Sequence, residues 1–193
     1  MYKRQVPTVP GSPDLVKDAD EAEKLANEIG YPVMLKSVYG GGGRGIRIVN
    51  TDQELRDGYE TVTAESIAAV GKSAIIVEKF LEKTRHIEYQ MCRDHHGNAV
   101  HLFERECSIQ RRNQKLIEQT PSPVVDEAKR EEIGELVVKA AEAVDYTNLG
   151  TAEFLRADNG EFYFIEINAR LQVEHPISEM AVSYTHLTLP TKA

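Results

Sequence analysis

The dipeptide Asn159–Gly160 lies between two runs of alternating apolar and polar residues, GTAEFLRA and EFYFIEINARLQVEH. Asn-Gly between such runs is a strong signal for a β-hairpin, because a type I′ turn needs a positive φ at both central residues. With this dipeptide at the tip, Asp158 opposes Glu161, and counting outward places Glu153 directly opposite Glu166. The sequence therefore predicts two carboxylates side by side on one face of a sheet.

Two acids in that arrangement repel each other, because directly opposed Cβ atoms lie roughly 4.5 to 5.5 Å apart. A buried pair could share a proton, or it could ligate a cation between its members. Asn168 follows Glu166 by two residues and so lies on the same face, where it adds a neutral oxygen. Oxygen ligands of this kind are typical of Mg²⁺ or Mn²⁺ sites. A solvated pair of acids is the alternative interpretation.

The polar alternation continues from Glu166 through Arg170 and Gln172 to Glu174. An extended strand would carry all of these side chains on one face, although ordinary alternation between an inner and an outer face explains the pattern equally well. At a rise of ~3.3 Å per residue, Glu166 and Glu174 would be roughly 26 Å apart in a straight strand. A single site containing both requires the chain to bend after Arg170, and Pro176 indicates that the strand is ending.

Composition narrows the class of function. The chain has 193 residues, 41% of them hydrophobic, and its 31 acidic and 23 basic residues give a formal net charge of -8. Such a balance carries no electrostatic footprint for nucleic acid and no polybasic membrane patch. Cys92 and Cys107 are isolated, the N-terminus lacks a signal-peptide core, and no apolar run approaches the ~20 residues of a membrane span. We expect a cytoplasmic protein with reduced thiols.

Several segments carry clear signals for secondary structure. A helix is predicted from a cap at Asp18 or Asp20 to Gly30, and another from Thr51, which stands in capping-box spacing with Glu54. Strands are predicted at YPVMLKSV, IRIV and SAIIVEKFL, a hairpin at RHIEYQMCRD and NAVHLFERECSIQRR, and a third helix at VDEAKREEIGELVVKAAEAV. This mixture of hairpins and helices predicts an α+β fold with antiparallel sheets.

A glycine-rich stretch, YGGGGRG, lies between two predicted strands at residues 39–45. It is not a P-loop, because Lys36 precedes the glycines, and it is not a dinucleotide fingerprint, because a strand follows it. Backbone N–H groups of such a loop could cover phosphates while Lys36 supplies a positive charge. A surface turn is the alternative.

The two ends of the chain, MYKRQ and VSYTHLTLPTKA, fit none of these patterns. The codons for YKRQ can be reverse-complemented into codons for Val182 to Tyr184, and both ends resemble translated adapter sequence from library preparation. We expect residues 1–5 and 182–193 to be non-native and the native segment to run from residue 6 to residue 181.

Taken together, KSVYGGGGRG, VEKFL, RHIEYQ, SIQRRNQK, GTAEFL and FIEINARLQVEHP resemble the biotin carboxylase component of biotin-dependent carboxylases, which belongs to the ATP-grasp superfamily. The resemblance implies two α+β subdomains with antiparallel sheets that grip a nucleotide. The lid subdomain would be residues 6–80 and the first part of the catalytic subdomain residues 81–181, with the chain truncated at both ends. Tyr39 and Asn113 are similar to the residues of the pyruvate carboxylase branch or of free-standing archaeal-type subunits.

The resemblance also implies roles for individual residues. Contacts with ATP would come from Lys36, Gly40, Gly41, Gly42, Gly43, Glu78, Lys79, Leu81, His86 and Gln110. Magnesium or manganese, two ions in all, would be held by Glu153, Glu166 and Asn168. The bicarbonate pocket would consist of Lys115, Arg170, Gln172 and the backbone of Val173. Glu174 would be the general base, with Lys115 and Arg170 as further catalytic groups.

The activity implied is ATP-dependent carboxylation of carrier-bound biotin, with bicarbonate as the carbon source, carboxyphosphate as the intermediate, and ADP and phosphate as products. A biotin carboxyl carrier and a carboxyltransferase would be partners, and the parent enzyme would be a homo-oligomer. Two alternatives remain: another carboxylate-activating ATP-grasp ligase, and a nucleotide-binding module without turnover. Because much of the family's N-terminal and C-terminal sequence has no counterpart in the chain, we expect this segment to be inactive or nearly so by itself.

Overall fold

The computed structural model describes residues 7–39, 45–111 and 114–183. They form two compact units. The first unit is Val9–Glu82, and the second unit comprises the described residues from Lys83 onward together with residues 7 and 8. The four glycines at 40–43 and the predicted non-native residues 1–5 and 184–193 lie outside the described residues.

The first unit has two helices and a three-stranded antiparallel sheet with the strand order β2-β1-β3. Its elements are α1 (Ala19–Ile29), β1 (Val33–Ser37), β2 (Ile46–Val49), α2 (Asp52–Val70) and β3 (Ile75–Lys79). Asp18 caps α1 by accepting a hydrogen bond from the backbone of Glu21, and Gly30 ends the helix at a φ of 84°. These elements confirm the predicted helices and strands.

The cap of α2 differs in one respect from the predicted capping box. The Thr51 hydroxyl accepts a hydrogen bond from the backbone N–H of Glu54 at 3.2 Å, as expected. The Glu54 carboxylate, however, accepts from the backbone N–H of Asn50 at 2.8 Å. The helix start is therefore fixed from both sides, with the reciprocal bond one residue earlier than in the standard box.

The second unit contains a five-stranded antiparallel sheet with the order β6-β5-β4-β7-β8. Its elements are β4 (Arg85–Arg93), β5 (Ala99–Arg111), β6 (Gln114–Gln119), α3 (Glu127–Ala143), β7 (Asn148–Arg156), β8 (Phe162–Asn168) and α4 (His175–Ala181). Helix α3 packs on the sheet through a core that includes Ile87, Tyr89, Ile133, Val137 and Phe154. Both units confirm the predicted α+β class. Strand β6 and helix α4 were not predicted.

The tip of the last hairpin is not the predicted type I′ turn. Gly160 has a φ of 88°, whereas Asn159 is not among the residues with positive φ. Gly160 donates to the carbonyl of Ala157 at 2.9 Å, and Ala157 in turn donates to the carbonyl of Glu161 at 2.8 Å. The loop therefore has three residues, 158–160, with glycine in the last position, the common alternative to the two-residue turn.

The predicted pairing of Glu153 with Glu166 is nevertheless present. Close to the turn the register is one residue off, so that Phe154 faces Phe164 instead of Ile165. Ile165 is the extra residue of a β-bulge, and beyond it the pairing returns to the predicted register. The extra residue in the loop and the extra residue in the bulge thus cancel.

The interpretation of the stretch up to Glu174 as one continuous strand is wrong. Strand β8 ends at Asn168, residues 169–174 are irregular, and α4 begins at His175. The bend required by the distance argument is present, two residues earlier than predicted. Pro176 lies in the first turn of α4, where its missing N–H costs no helical hydrogen bond.

No helix in the described part of the chain is long and apolar enough to cross a membrane. Cys92 and Cys107 are free thiols.

Candidate active site

Four charged residues form a row across the sheet of the second unit. Arg105 on β5 pairs with Glu88 on β4, Glu88 pairs with Glu153 on β7, and Glu153 pairs with Glu166 on β8. Directly opposed residues share a face, so three carboxylates stand side by side next to one guanidinium. Such a row requires compensating positive charge.

Lys115 on β6 supplies part of that charge. Its ammonium donates to the Glu88 carboxylate and lies 3.0 Å from Oε1 of Glu153 and 2.9 Å from Oε1 of Glu174. We call Lys115 and these three glutamates the carboxylate cluster. Burial disfavours the charged amine, but the glutamates outweigh burial and raise the pKa of Lys115 above its usual value. The lysine is therefore a permanent cation.

Glu153 is the most heavily contacted acid of the carboxylate cluster. Its Oε1 accepts from Lys115, from the amide of Asn168 at 2.9 Å and from the amide of Gln172 at 3.3 Å. Its Oε2 lies 2.9 Å from Nε2 of His86. Burial raises the pKa of Glu153, but the contacts with His86 and Lys115 prevail and lower it to about 2. Glu153 is consequently an anion at neutral pH.

Glu174 owes its charge to the same lysine. Burial raises the pKa of the Glu174 carboxyl, and the hydrogen bond from Lys115 more than offsets this effect and lowers it. The side chain is 6% exposed. The general base predicted from the resemblance is thus ionised and held 2.9 Å from an ammonium.

Arg105 and Glu88 were not identified as site residues from the sequence. Arg105 is completely buried, and its guanidinium donates to Glu88 and Gln90 on β4, Thr151 on β7, Gln172 in the irregular segment and Ser178 on α4. It thereby ties the segment that carries Gln172 and Glu174 to the sheet. The sequence did contain a signal for Glu88. In RHIEYQ it follows His86 by two residues, so both side chains lie on the same face of a strand.

His86 and Gln110, both predicted nucleotide contacts, touch each other. The amide of Gln110 lies 3.0 Å from Nδ1 of His86 and also donates to the carbonyl of Cys107 at 2.8 Å. Nε2 of His86 is buried and faces Oε2 of Glu153 at 2.9 Å. The imidazole thus joins the predicted nucleotide contact Gln110 to the carboxylate cluster.

Three predicted residues make no hydrogen bond or ion pair with the carboxylate cluster among the described contacts. Glu166 is exposed and has no hydrogen bond or ion pair with any described residue. Arg170 is exposed, and the one hydrogen bond described for it is to the carbonyl of Leu171 at 3.3 Å. The Val173 side chain is 93% exposed. The cation in contact with Glu174 is Lys115, at 2.9 Å.

Arg170 instead lines a separate cavity of about 630 Å³, together with Ala169, Leu171 and the loop at residues 144–149. The irregular backbone after β8 causes this division. Gln172 points toward the carboxylate cluster, whereas Arg170 points away from it.

In the first unit, two predicted nucleotide contacts pair with each other. The ammonium of Lys36 on β1 donates to the carboxylate of Glu78 on β3. Lys79 donates to the carbonyls of Gly30 and Tyr31 at 2.8 and 3.0 Å and so fastens the start of β1. Leu81 is half-buried. The predicted glycine loop lies outside the described residues.

The residues present fit a divalent cation. Glu153, Glu166 and Asn168 lie on one face by register, and carboxylate and amide oxygens are the ligands that Mg²⁺ and Mn²⁺ prefer. Possible ligand atoms of His86, Glu88 and Glu153 also lie within 4.8 Å of one another. The donor set is rich in oxygen and anionic, as charge neutralisation of a triphosphate would require.

Comparison with known proteins agrees with this donor set. Residues 1–191 match a family described as the carbamoyl-phosphate synthase L chain, ATP binding domain. A biotin carboxylase of a Nostoc species is 52% identical over 180 residues, which are 93% of this chain and 40% of that protein. The propionyl-CoA carboxylase alpha chain of Ruegeria pomeroyi is 53% identical over 91% of this chain and 26% of its own length.

Solved structures give the same result. The biotin carboxylase domain dimer of Hydrogenobacter thermophilus 2-oxoglutarate carboxylase, in complex with MgADP, ADP and bicarbonate, has a TM-score of 0.88 and 50% identity, covering 95% of this chain and 42% of that one. A complex of Campylobacter jejuni biotin carboxylase with a β,γ-ATP ligand has a TM-score of 0.88 and 48% identity, covering 93% and 40%. The chain spans about two fifths of the Nostoc relative and of these structures.

Proposed function

This chain belongs to the family of carbamoyl-phosphate synthase L chain ATP-binding domains, and on that premise we propose that it is the ATP-binding portion of a biotin carboxylase. The complete enzyme would be an ATP-dependent ligase that carboxylates carrier-bound biotin with bicarbonate. Relatives named biotin carboxylase and a similar structure that holds MgADP and bicarbonate support this proposal. The observation that carries it is the row of Glu88, Glu153 and Glu166, with Lys115 and Glu174 gathered at the same face.

For nucleotide binding, we propose that the ion pair of Lys36 and Glu78 separates when ATP binds, so that each residue contacts the nucleotide instead. Lys36 would turn to the phosphates and Glu78 would accept the adenine amino group. Their side chains are 27% and 24% exposed, so both ends of the pair are accessible. Lys79, Leu81 and the glycine loop would complete this part of the site.

For the metal, we propose that Glu153, Glu166 and Asn168 hold Mg²⁺ or Mn²⁺. A bound divalent ion supplies charge neutralisation during phosphoryl transfer, in which positioning and electrostatics contribute most of the catalysis. His86 and Gln110 would lie at the nucleotide side of this group. The contact of His86 Nε2 with Glu153 at 2.9 Å supports that placement.

For bicarbonate, we propose a pocket formed by Lys115, Gln172 and the backbone of Val173, which Arg170 would join by turning from the separate cavity toward Gln172. Glu174 would accept the proton of bicarbonate. A bicarbonate oxygen would bond to the γ-phosphorus of ATP while the bond between that phosphorus and ADP breaks. A positioned carboxylate of this kind contributes about 10² to 10⁴ in rate. The carboxyphosphate formed would then break down to phosphate and CO₂. The released phosphate would take the proton of the biotin ureido N–H, and the ureido nitrogen would bond to CO₂ while Arg170 steadies the negative charge of the ureido group.

A biotin carrier and a carboxyltransferase would be partners of the complete enzyme, which we propose is a cytoplasmic oligomer. The dimer in the similar Hydrogenobacter thermophilus structure supports the oligomer. The free thiols of this chain support a reducing compartment such as the cytoplasm.

Two measurements test the proposal. Calorimetry with MgADP should show binding to this chain and a loss of at least about tenfold in affinity for Glu153→Gln. In the complete enzyme, ADP release should require both bicarbonate and biotin, whereas this chain alone should turn over negligibly. ADP release that needs a different carboxylate substrate would favour another ligase of the superfamily, and rapid biotin-dependent release by this chain alone would contradict its proposed inactivity.

A further inference from the structure

We propose that Lys115 is the resident cation of the carboxylate cluster and that a divalent ion must displace it from Glu153 in order to bind. This inference rests on the proposed function in one respect, the assignment of Glu153 as a metal ligand. It gives Lys115 a role in addition to its predicted contact with bicarbonate.

The contacts of the ammonium are those of a bound cation. Its Nζ lies within hydrogen-bond distance of one oxygen from each of Glu88, Glu153 and Glu174. These side chains are 0%, 9% and 6% exposed, and that of Lys115 is 18% exposed. Removing a cation from such a place leaves buried like charges unpaired, which is costly. In the absence of metal, the lysine therefore neutralises the acids.

The same contacts fill Oε1 of Glu153, whereas Oε2 faces Nε2 of His86 at 2.9 Å. The Oε1 atom already accepts from Lys115, Asn168 and Gln172, more N–H donors than a carboxylate oxygen has lone pairs. An ammonium 3.0 Å from that oxygen also repels any other positive charge there. A divalent ion and the ammonium consequently compete for one oxygen.

Arg105 also lies at the carboxylate cluster, but Lys115 is the cation able to move. Arg105 is completely buried and has five acceptors on two strands, the irregular segment and α4. Lys115 stands on the edge strand β6 and has a flexible stem. When it leaves Glu153, it keeps Glu88 and Glu174 as partners.

Displacement would therefore shift the ammonium toward Glu174, where bicarbonate is proposed to bind. Metal binding and bicarbonate binding would share this lysine, and each would strengthen the other by the same factor. The lysine would act as a competitor of the metal and as the link between the two subsites.

The test is a titration of this 193-residue chain with Mn²⁺ alone at low ionic strength, with the free ion measured by electron paramagnetic resonance. Lys115→Met should bind Mn²⁺ at least about tenfold more tightly than the parent chain, because the competing charge is gone. Lys115→Arg, which keeps the charge, should stay within about threefold of the parent. Should the methionine variant fail to fold, Lys115→Gln retains a donor without the charge, and the same gain is expected.

The matched control is Lys129→Met. Lys129 lies on α3, where it pairs with Glu132 at the surface, so the substitution removes one positive charge outside the carboxylate cluster. It should leave Mn²⁺ affinity unchanged within about twofold. Unchanged or weaker binding by Lys115→Met or Lys115→Gln, with measurable binding by the parent, would overturn the inference and leave the metal site standing. No binding by parent and variants alike would overturn the metal assignment itself, and the inference with it.

Discussion

Glu153 on β7 and Glu166 on β8 are direct cross-strand neighbours because Ile165 bulges out of β8 beside them. Without the bulge, the register set by the three-residue loop would place Ile165 opposite Glu153. Since side chains alternate between faces, Glu166 would then lie on the other side of the sheet. The position of a proposed metal ligand thus depends on Ile165 being left out of the strand pairing.

The first prediction concerns Glu166→Gln. Glu166 has no described partner, so its charge gives the apo protein only repulsion from Glu153. We expect the free energy of unfolding to rise by about 0.2 to 1 kcal/mol in urea denaturation without metal. Mn²⁺ affinity should fall at least about tenfold in the same protein.

Glu142→Gln is the control, because Glu142 is exposed on α3 and the substitution changes net charge equally. It should alter neither quantity appreciably. A loss of stability in Glu166→Gln would mean that the carboxylate makes a favourable contact in the apo protein.

The second prediction concerns Arg105. Arg105→Met leaves Glu88, Gln90 and Gln172 without their buried donor, and removal of one partner from a buried ion pair typically costs about 3 to 5 kcal/mol. Urea denaturation should show a loss of this size. Arg105→Lys should recover part of it, since an ammonium keeps the charge but not the planar set of donors.

An exposed pair provides the comparison. Arg47, whose side chain is 41% exposed, bonds to Glu65, and Arg47→Met should change stability by less than about 1 kcal/mol. Equal effects of the two substitutions would refute the structural importance assigned to Arg105.

The third prediction concerns pH. His175 is 3% exposed, and its Nε2 lies 3.3 Å from Oε1 of Glu179. Burial lowers the pKa of His175 below its usual value of 6.5, and although Glu179 opposes this, the net shift is downward. The folded protein therefore binds this proton less readily than the unfolded chain.

Its contribution to stability is consequently complete above pH 6.5 and is lost as the pH falls below that value, with a slope of at most about 1.4 kcal/mol per pH unit. The free energy of unfolding should be measured from pH 7.5 to 5.0 in the parent chain and in His175→Gln, which does not titrate. Parallel curves for the two proteins would show that His175 does not contribute.

The fourth prediction concerns the contact of α3 with β5. A Cβ at Gly134 would lie 2.5 Å from atoms of the His101 ring, which a rigid ring cannot accommodate without shifting. We expect Gly134→Ala to destabilise the protein by about 1 to 3 kcal/mol. In a double-mutant cycle, the same substitution in a His101→Ala background should cost much less, and an equal cost would place the strain elsewhere.

The sequence predicted the segments with strong local signals. Asp18 and Gly30 bound α1 as expected, and the hairpin that carries Glu153 was located from its Asn-Gly tip. The carboxylate pair was found in the right register through an incorrect turn, because two local deviations of opposite sign cancel. Local pattern indicates that strands pair, but loop length and bulges are decided by packing of the whole sheet.

The remaining errors have a common physical cause. Glu88 and Arg105 were overlooked because a buried charge is recognisable only when its partner is known, and their partners lie on other strands. Alternation after Asn168 indicated a strand, whereas the segment is irregular and continues into α4, which Arg105 anchors through Ser178. Tertiary contacts overrode the period-2 pattern there.

The bulge at Ile165 also makes the last hairpin tolerant of changes in its length over evolutionary time. The loop is closed by the contact of Ala157 with Glu161, so removing one loop residue leaves every later pair in place. Deletion of Ile165 would join Phe164 directly to Glu166 and keep Glu166 opposite Glu153. Homologous chains should therefore accept length changes at these two places independently, whereas loss of Ile167 would turn Asn168 to the face opposite Glu166.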